Sequence, residues 1–487
     1  MVAAGLRGAR AWRRFFANGY CDSISPKKVI KVRIIVSFDT EDFTDPATND
    51  VLLEVCHVLG ERGVRACFGL VGEKARFLRD QGREDVVAAL AAHEICYHSD
   101  NHFLFPDDGH EKRFASRIVE ECRWDEAVNW LVSTEVRGLA DIESLFGHRP
   151  VTHLRTCGDS AAQLLAAFSR LGLKTYAYGL SINERTRHIA RYANMLCVSL
   201  PLISEELVYA GKGIARFEEL AADGAELINL RFHPCRFLCD EWWDGPHNYM
   251  EVENPRTRPP FAPTPHVAPE ETAQRLANLG ALIDHVQERG DVEFTTYGAV
   301  SDAVVEEPSF LSRKEVEQAA RRMEERLSFV EVGDYCMSLA EVFAAVVWAL
   351  LHPQAQWIPF RHPLGPTRLS GEVDVDETVT AGAMLEACAT VEDELAALGR
   401  VPDRIEVGGQ RAAPGPFLRA AAGVLLGESA AVLEEGPIYP EGFDEVLERW
   451  DGISHDLVAY FPQRGRPVPN TKLAIKLQYW SYKQVGI

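Results

Sequence analysis

Four segments of this chain place residues that can move protons or bind metals directly after strand-like runs. SFDTED closes one run on Asp39, Glu41 and Asp42. One carboxylate there can ligate a metal while another serves as general base. HEICYHSDNH sets His98 and His102 four residues apart just past a second run. On a helical turn an i, i+4 pair shares a face, so both imidazoles can reach one divalent ion. VTHLRTCGDS puts Arg155 at a strand end, and ELINLRFHPC closes another strand on His233. Taken singly, each has a plain reading: acids in a solvated turn, surface histidines, an ion-pairing arginine, a structural histidine. Taken together they make a carboxylate–His–His metal site, a spare carboxylate, an arginine to orient it and a distant histidine. That is the inventory of a metal-dependent hydrolase.

The elements that must position these residues follow from periodicity. From Val29 short β-branched runs alternate with amphipathic segments: VIKVRIIVSF, NDVLLEVCHVLGERG, VRACFGLVG, EDVVAALAAH and onward to DVEFTTY. Such alternation predicts a parallel sheet, closed or doubly wound. A parallel barrel carries its active site at the C-terminal ends of its strands, where these residues fall. We read 1–30 as an irregular basic lead-in, 31–308 as a (β/α) barrel and 309–487 as a mainly helical domain. The proline-rich stretch 254–270 is a surface loop. From about Ser338 the pattern turns to helices and short turns, with no strong internal repeat. LAEVFAAVVWALL (Leu339–Leu351) is apolar on nearly all faces and shorter than the roughly 20 residues of a membrane span, so it must be buried.

The motif order SFDTED, HSDNH, a strand-end arginine and LRFH resembles the polysaccharide deacetylases of carbohydrate esterase family 4, the NodB homology domain. The resemblance runs over roughly residues 31–305. HSDNH matches the family's His-Ser-x-x-His metal motif, Leu230–His233 its Leu-x-x-His, and VRACFGLVGEKAR its second strand. It implies a distorted (β/α) barrel with a divalent ion, usually zinc, on His98, His102 and a carboxylate. It implies Asp39 as base, held by Arg155, and His233 as general acid. Leu230 and the backbone near Cys157 would then lie at the substrate. Two departures stand out. Thr40 follows Asp39 where the family has a second aspartate, so the metal carboxylate is Glu41 or Asp42. Arg155 is followed by TCGDS instead of proline, an aromatic residue and glycine, which leaves the amide that would help bind the oxyanion open. Trp242, Trp243 and Tyr249 could stack on a sugar face or pack the barrel mouth.

Composition narrows the partners. The chain of 487 residues carries 51 basic and 72 acidic residues, a net charge of −21. That disfavours nucleic acid and anionic membranes. The 11 cysteines follow no regular spacing, and several lie in apolar runs, as reduced structural thiols do. Cys235 and Cys239 lack a second pair and make a poor zinc motif. The N-terminus has Arg13 and Arg14 but no apolar stretch after them, so no export signal is read and a cytoplasmic protein is expected. The expected activity is removal of an N-acetyl or other N-acyl group from an amino sugar, a glycan or a small N-acetyl-sugar intermediate. An amidohydrolase acting on a non-sugar amide and a degenerate carbohydrate-binding or scaffolding module are the alternatives. The second domain is expected to dock on the barrel near its mouth, restricting the substrate to something small, or to mediate a homo-oligomer.

Overall fold

A computed structural model describes residues 32–102, 122–154, 162–177, 189–243, 263–304, 306–368, 377–435 and 479–485. Strand β1 (Val32–Thr40) shows how the sequence builds it. All of its residues are buried except Arg33, which is half-buried. A strand covered on both faces reads as a continuous apolar run, as strands of parallel sheets do. Successive side chains alternate faces. Ile34, Val36 and Phe38 point outward into a core shared with the flanking helices. Ile35 points inward, to Cys67, Cys96, Leu154, Ala177 and Val198. Ser37 and Asp39 continue that inward row.

The sheet has 11 strands and curls into a distorted barrel. After β1 come β2 (Cys67–Leu70), β3 (Glu94–Tyr97), β4 (Thr152–Leu154), β5 (Thr175–Ala177) and β6 (Ile189–Tyr192). Then follow β7 (Met195–Val198), β8 (Leu202–Ser204), β9 (Leu227–Phe232) and β10 (Val292–Thr295). The order across the sheet is β6-β7-β5-β4-β3-β2-β1-β9-β8, with β10 pairing the start of β1. Neighbours on that path are parallel, except that β6 runs antiparallel to β7. Helices fill the connections: α1 (Ala47–Glu61), α2 (Gly72–Asp80), α3 (Glu84–Leu90), α4 (Trp124–Phe146) and α5 (Ala162–Arg170). Behind them are α6 (Glu205–Tyr209), α7 (Gly213–Ala222), α8 (Pro269–Arg289) and α9 (Tyr297–Ala303). Helix α9 closes the barrel floor, with Tyr297 and Val300 in the inner cluster and Gly298 N–H donating to Glu94 at 3.0 Å.

The second half is a tandem repeat, which corrects the expectation of no internal repeat. Its first copy is β11 (Phe310–Ser312), α10 (Arg313–Glu325), β12 (Val330–Val332), β13 (Tyr335–Met337), α11 (Leu339–Leu351) and β14 (Trp357–Pro359). Its second is β15 (Glu377–Thr380), α12 (Ala381–Leu398), β16 (Ile405–Val407), β17 (Gln410–Ala412), α13 (Pro414–Leu425) and β18 (Ala430–Leu433). In each copy the outer strands pair antiparallel and the inner two form a hairpin. The hairpins turn on Gly333 and Gly408, at φ 61° and 58°, values that glycine adopts without strain. The two copies share one core. Helix α11 lies within it, with only Trp348 and Leu351 less than buried. No described helix is long and apolar enough to cross a membrane.

Among the described residues, a shared strand and several ion pairs join the repeats to the barrel. Strand β19 (Tyr482–Gln484) extends the barrel sheet by pairing antiparallel with β6. Beside it the buried Lys483 ammonium lies 2.6 Å from Glu307 and 2.6 Å from Glu341 of α11. Arg400 reaches Asp125 of α4 at 2.6 Å.

Candidate active site

The inward rows of β1, β3 and β9 converge at the upper end of the barrel. Ser37 hydrogen-bonds Asn229 at 2.9 Å, and one layer above stand Asp39 and Arg231. Arg231 donates to Asp39 Oδ2 from Nε at 2.9 Å, and its Nη2 lies 2.8 Å from the same oxygen. His233 Nε2 lies 3.5 Å from that oxygen too. Asp39 Oδ1 is buried and has no hydrogen-bond partner among the described residues. Behind His233, Glu205 at the start of α6 accepts the backbone N–H at 2.6 Å and lies 3.2 Å from Nδ1. Burial, the largest single effect, opposes a charge on His233, but Glu205, Glu41 and Asp39 together outweigh it, and its pKa is raised above the usual imidazole value.

A second group sits beside the first. Glu41 Oε2 lies 3.1 Å from His98 Nε2 and 2.9 Å from His102 Nε2, and all three residues are buried. The two histidines are not on a helical turn, as their spacing predicts. They flank a loop after β3 in which Ser99 and His102 both take positive φ, 76° and 60°. Such backbone costs on the order of 1 kcal/mol or more per residue and persists only where the surroundings impose it. Here the surroundings are visible. Gly72 N–H donates to Ser99 O at 3.0 Å and Glu73 N–H to Asp100 O at 2.8 Å. Asp100 is tied to Arg76 at 2.8 Å and to Arg137 at 2.7 Å. Helices α2 and α4 approach the loop through glycine: a Cβ on Gly138 would lie 2.8 Å from the Asp100 Cα.

The donor set fits a divalent cation. His98 Nδ1 faces the carbonyl of Leu154 at 2.8 Å. A carbonyl only accepts, so Nδ1 carries a hydrogen and Nε2 is the nitrogen turned toward Glu41. Two imidazole nitrogens on one carboxylate oxygen need a proton or a cation between them, and the carbonyl behind His98 is the outer partner that metal-bound histidines use. Burial pushes Glu41 upward, yet His102 and His98 hold its carboxyl well below the usual range. Trp243, fully buried, donates its indole N–H to Glu41 Oε1 at 2.9 Å and packs against Phe43 and His102.

Several assignments read from the sequence change. Of the two open carboxylates, Glu41 meets the histidines. Asp42 turns away and accepts from the Thr44 backbone and hydroxyl, both at 2.8 Å. Leu230 lies on the outward face of β9, buried in the helix-packing core. Trp243 presents its ring to Phe43 and His102 instead of to a sugar. Trp242 stays partly exposed, edge-on to His233 and capped by Arg236. Arg155, Cys157 and Tyr249 lie outside the described residues. Arg231 holds Asp39 in the way the resemblance implied for Arg155. Its position two residues before His233 on a strand was the available signal. Glu205 was also missed, and the strand-then-acid pattern LISEEL is what could have found it.

No family model matches the chain, and no curated protein is similar to it. Solved structures align loosely over a little more than half of the chain. A point variant of a peptidoglycan deacetylase from Bacillus subtilis is 13% identical, covers 57% of this chain and 93% of its own, and has a TM-score of 0.30. An allantoinase is 11% identical, covers 57% and 91%, and scores 0.38. A CE4 family pseudoenzyme from Bacillus anthracis is 11% identical, covers 57% and 67%, and scores 0.32. At these scores none of the three decides fold or activity, which rest on the residues themselves.

Proposed function

We propose that residues 32–308 form the catalytic unit of a metal-dependent amide hydrolase that removes an N-acetyl or related N-acyl group, with an amino sugar or glycan as the substrate class. One observation carries this. The Asp39 carboxylate and the His233 imidazole face each other at 3.5 Å, directly beside the Glu41–His98–His102 cluster. A binding module has no need of a base and an acid together at a metal-type site.

Glu41, His98 and His102 would hold a divalent ion of the zinc class. Such an ion polarises an acyl carbonyl and lowers the pKa of a water toward about 7. Asp39 accepts the proton of the attacking water, its Oδ2 fixed by Arg231 so that Oδ1 is the oxygen left for that work. His233, kept protonated by Glu205, delivers a proton to the departing nitrogen, since an amine leaves poorly unless protonated. Water adds across the C–N bond, giving a carboxylic acid and a free amine. The support for the amino-sugar class is the motif resemblance, including the fully matched HSDNH.

The deciding experiment is acetate release by metal-quantified protein on chitin oligomers, N-acetylglucosamine conjugates and N-acyl amino compounds. Turnover that follows metal content on an N-acetyl sugar supports the proposal. Turnover confined to non-sugar amides moves it to the amidohydrolase reading. No turnover on the whole panel at full metal occupancy overturns it.

A further inference from the structure

At the rim of the barrel, three separate segments bring a second set of ligand-type side chains together. Asp45 follows β1 in the loop that carries Glu41. Cys239 follows the short 3-10 turn Pro234–Phe237 after β9, and His266 leads into α8. One ligand atom from each lies within 4.8 Å of the others. His266 Nε2 is 2.6 Å from Asp45 Oδ2, and among the described residues the Cys239 thiol has a long contact, 3.9 Å, to the carbonyl of Thr264. We propose that Asp45, Cys239 and His266 form a second metal site, for one zinc-class divalent ion, that clamps the loops bearing Glu41 and His233.

The backbone fixes the donors before any ion arrives. Cys239 and His266 face each other across an antiparallel bridge. Arg275 of α8 reaches the carbonyls of Arg236 at 2.6 Å and Cys239 at 3.4 Å, which pins the turn. Asp45 Oδ1 accepts the Ala47 N–H at 2.9 Å, leaving Oδ2 pointed at His266. Asp45 and Cys239 are buried, while the His266 side chain is 41% exposed, so an ion has a path in and a fourth position can open to water. Thiolate, imidazole and carboxylate together suit zinc-class ions over magnesium or calcium. Binding releases the thiol proton, and Nε2 of His266 turns its lone pair to the ion in place of its contact with Asp45. The two anionic ligands then balance the 2+ charge. The nearby ammonium of Lys74 bonds the Asp42 carbonyl at 2.6 Å and Thr48 at 3.4 Å.

A plain His266–Asp45 ion pair would leave the thiol uninvolved, and cobalt distinguishes the two. Metal-free full-length protein titrated with Co2+ should gain a sulfur-to-cobalt charge-transfer band. That band should vanish in Cys239→Ser, persist in Cys235→Ser, and in His266→Gln, which loses a ligand, need more than the roughly tenfold extra cobalt that loss of an outer partner costs. Wild-type protein saturated with Co2+ and lacking the band overturns the proposal without requiring any variant to fold. So does a band that survives undiminished in Cys239→Ser. The Glu41–His98–His102 cluster contains no sulfur, so its occupancy and any deacetylase activity are read separately, by total metal content and by turnover.

Discussion

Arg231 grips Asp39 through two nitrogens, Nε at 2.9 Å and Nη2 at 2.8 Å, both on the single oxygen Oδ2. His233 follows β9 directly, two residues beyond Arg231, so one strand sets the position of Arg231, of the Asp39 carboxylate it holds and of the imidazole facing that carboxylate. Any shift in β9 would therefore move the proposed base and the proposed acid together.

Removing that grip should cost rate without costing metal. Arg231→Ala is expected to lose on the order of 10² in kcat, the scale of a misplaced catalytic group, at unchanged metal content. Added guanidinium should restore part of the activity. A variant that guanidinium cannot rescue would mean that Arg231 only packs the barrel.

The two candidate carboxylates separate cleanly. Glu41→Gln should strip the metal, while Asp42→Asn should keep it and lose about 1 kcal/mol of stability with its turn hydrogen bonds. Metal analysis paired with denaturant unfolding reads both. Retained metal in Glu41→Gln would reverse the assignment.

Glu205 predicts a pH effect of definite sign. Against the opposing effect of burial, it raises the His233 pKa, so the protonated acid persists to higher pH than a free imidazole near 6.5. In Glu205→Gln the basic limb of the pH–rate profile should move to lower pH. An unmoved limb would exclude His233 as the acid. His233→Ala should also harm amides more than activated esters of the same acyl group.

Gly138 tests the support of the histidine loop. A methyl group there would meet the Asp100 backbone at 2.8 Å, which cannot swing aside as a flexible side chain would. Gly138→Ala should fold but bind metal about tenfold more weakly, the scale of lost outer-shell support. Equilibrium dialysis with zinc is the measurement.

Lys483 should be a large single determinant of stability. It is fully buried, 2.6 Å from each of two carboxylates. Lys483→Met would leave Glu307 and Glu341 facing each other without its ammonium, at about 3–5 kcal/mol. Chemical unfolding of the variant checks this, and a loss below about 1 kcal/mol would show the network to be well solvated.

The sequence made legible the residues that end strands and little beyond them. Asp39, His98 and His233 were visible because each closes an apolar run at the same end of a parallel sheet. Choosing between Glu41 and Asp42 needed the path of the turn, which depends on Thr44 capturing Asp42. Arg231 was hidden because β9 is covered on both faces, so its pattern does not announce which side chains face inward. The repeats were hidden for a related reason. Few positions coincide, chiefly VEVG from Val330 with IEVG from Ile405 and Leu350–Leu351 with Leu425–Leu426, since paired copies need matching shape and burial but not matching residues.

Strand β19 bears on how the chain is made and how it comes apart. Residues 482–484 complete a sheet whose neighbouring strand, β6, leaves the ribosome long before them. During synthesis β6 must wait with a bare edge, the kind of surface that recruits wrong partners, until both repeats have emerged. The same wiring protects the finished molecule. A protease cut between barrel and repeats would sever the backbone but leave β19 paired in the sheet and Lys483 clasped by Glu307. The two fragments should therefore stay together as a nicked complex instead of parting as independent pieces.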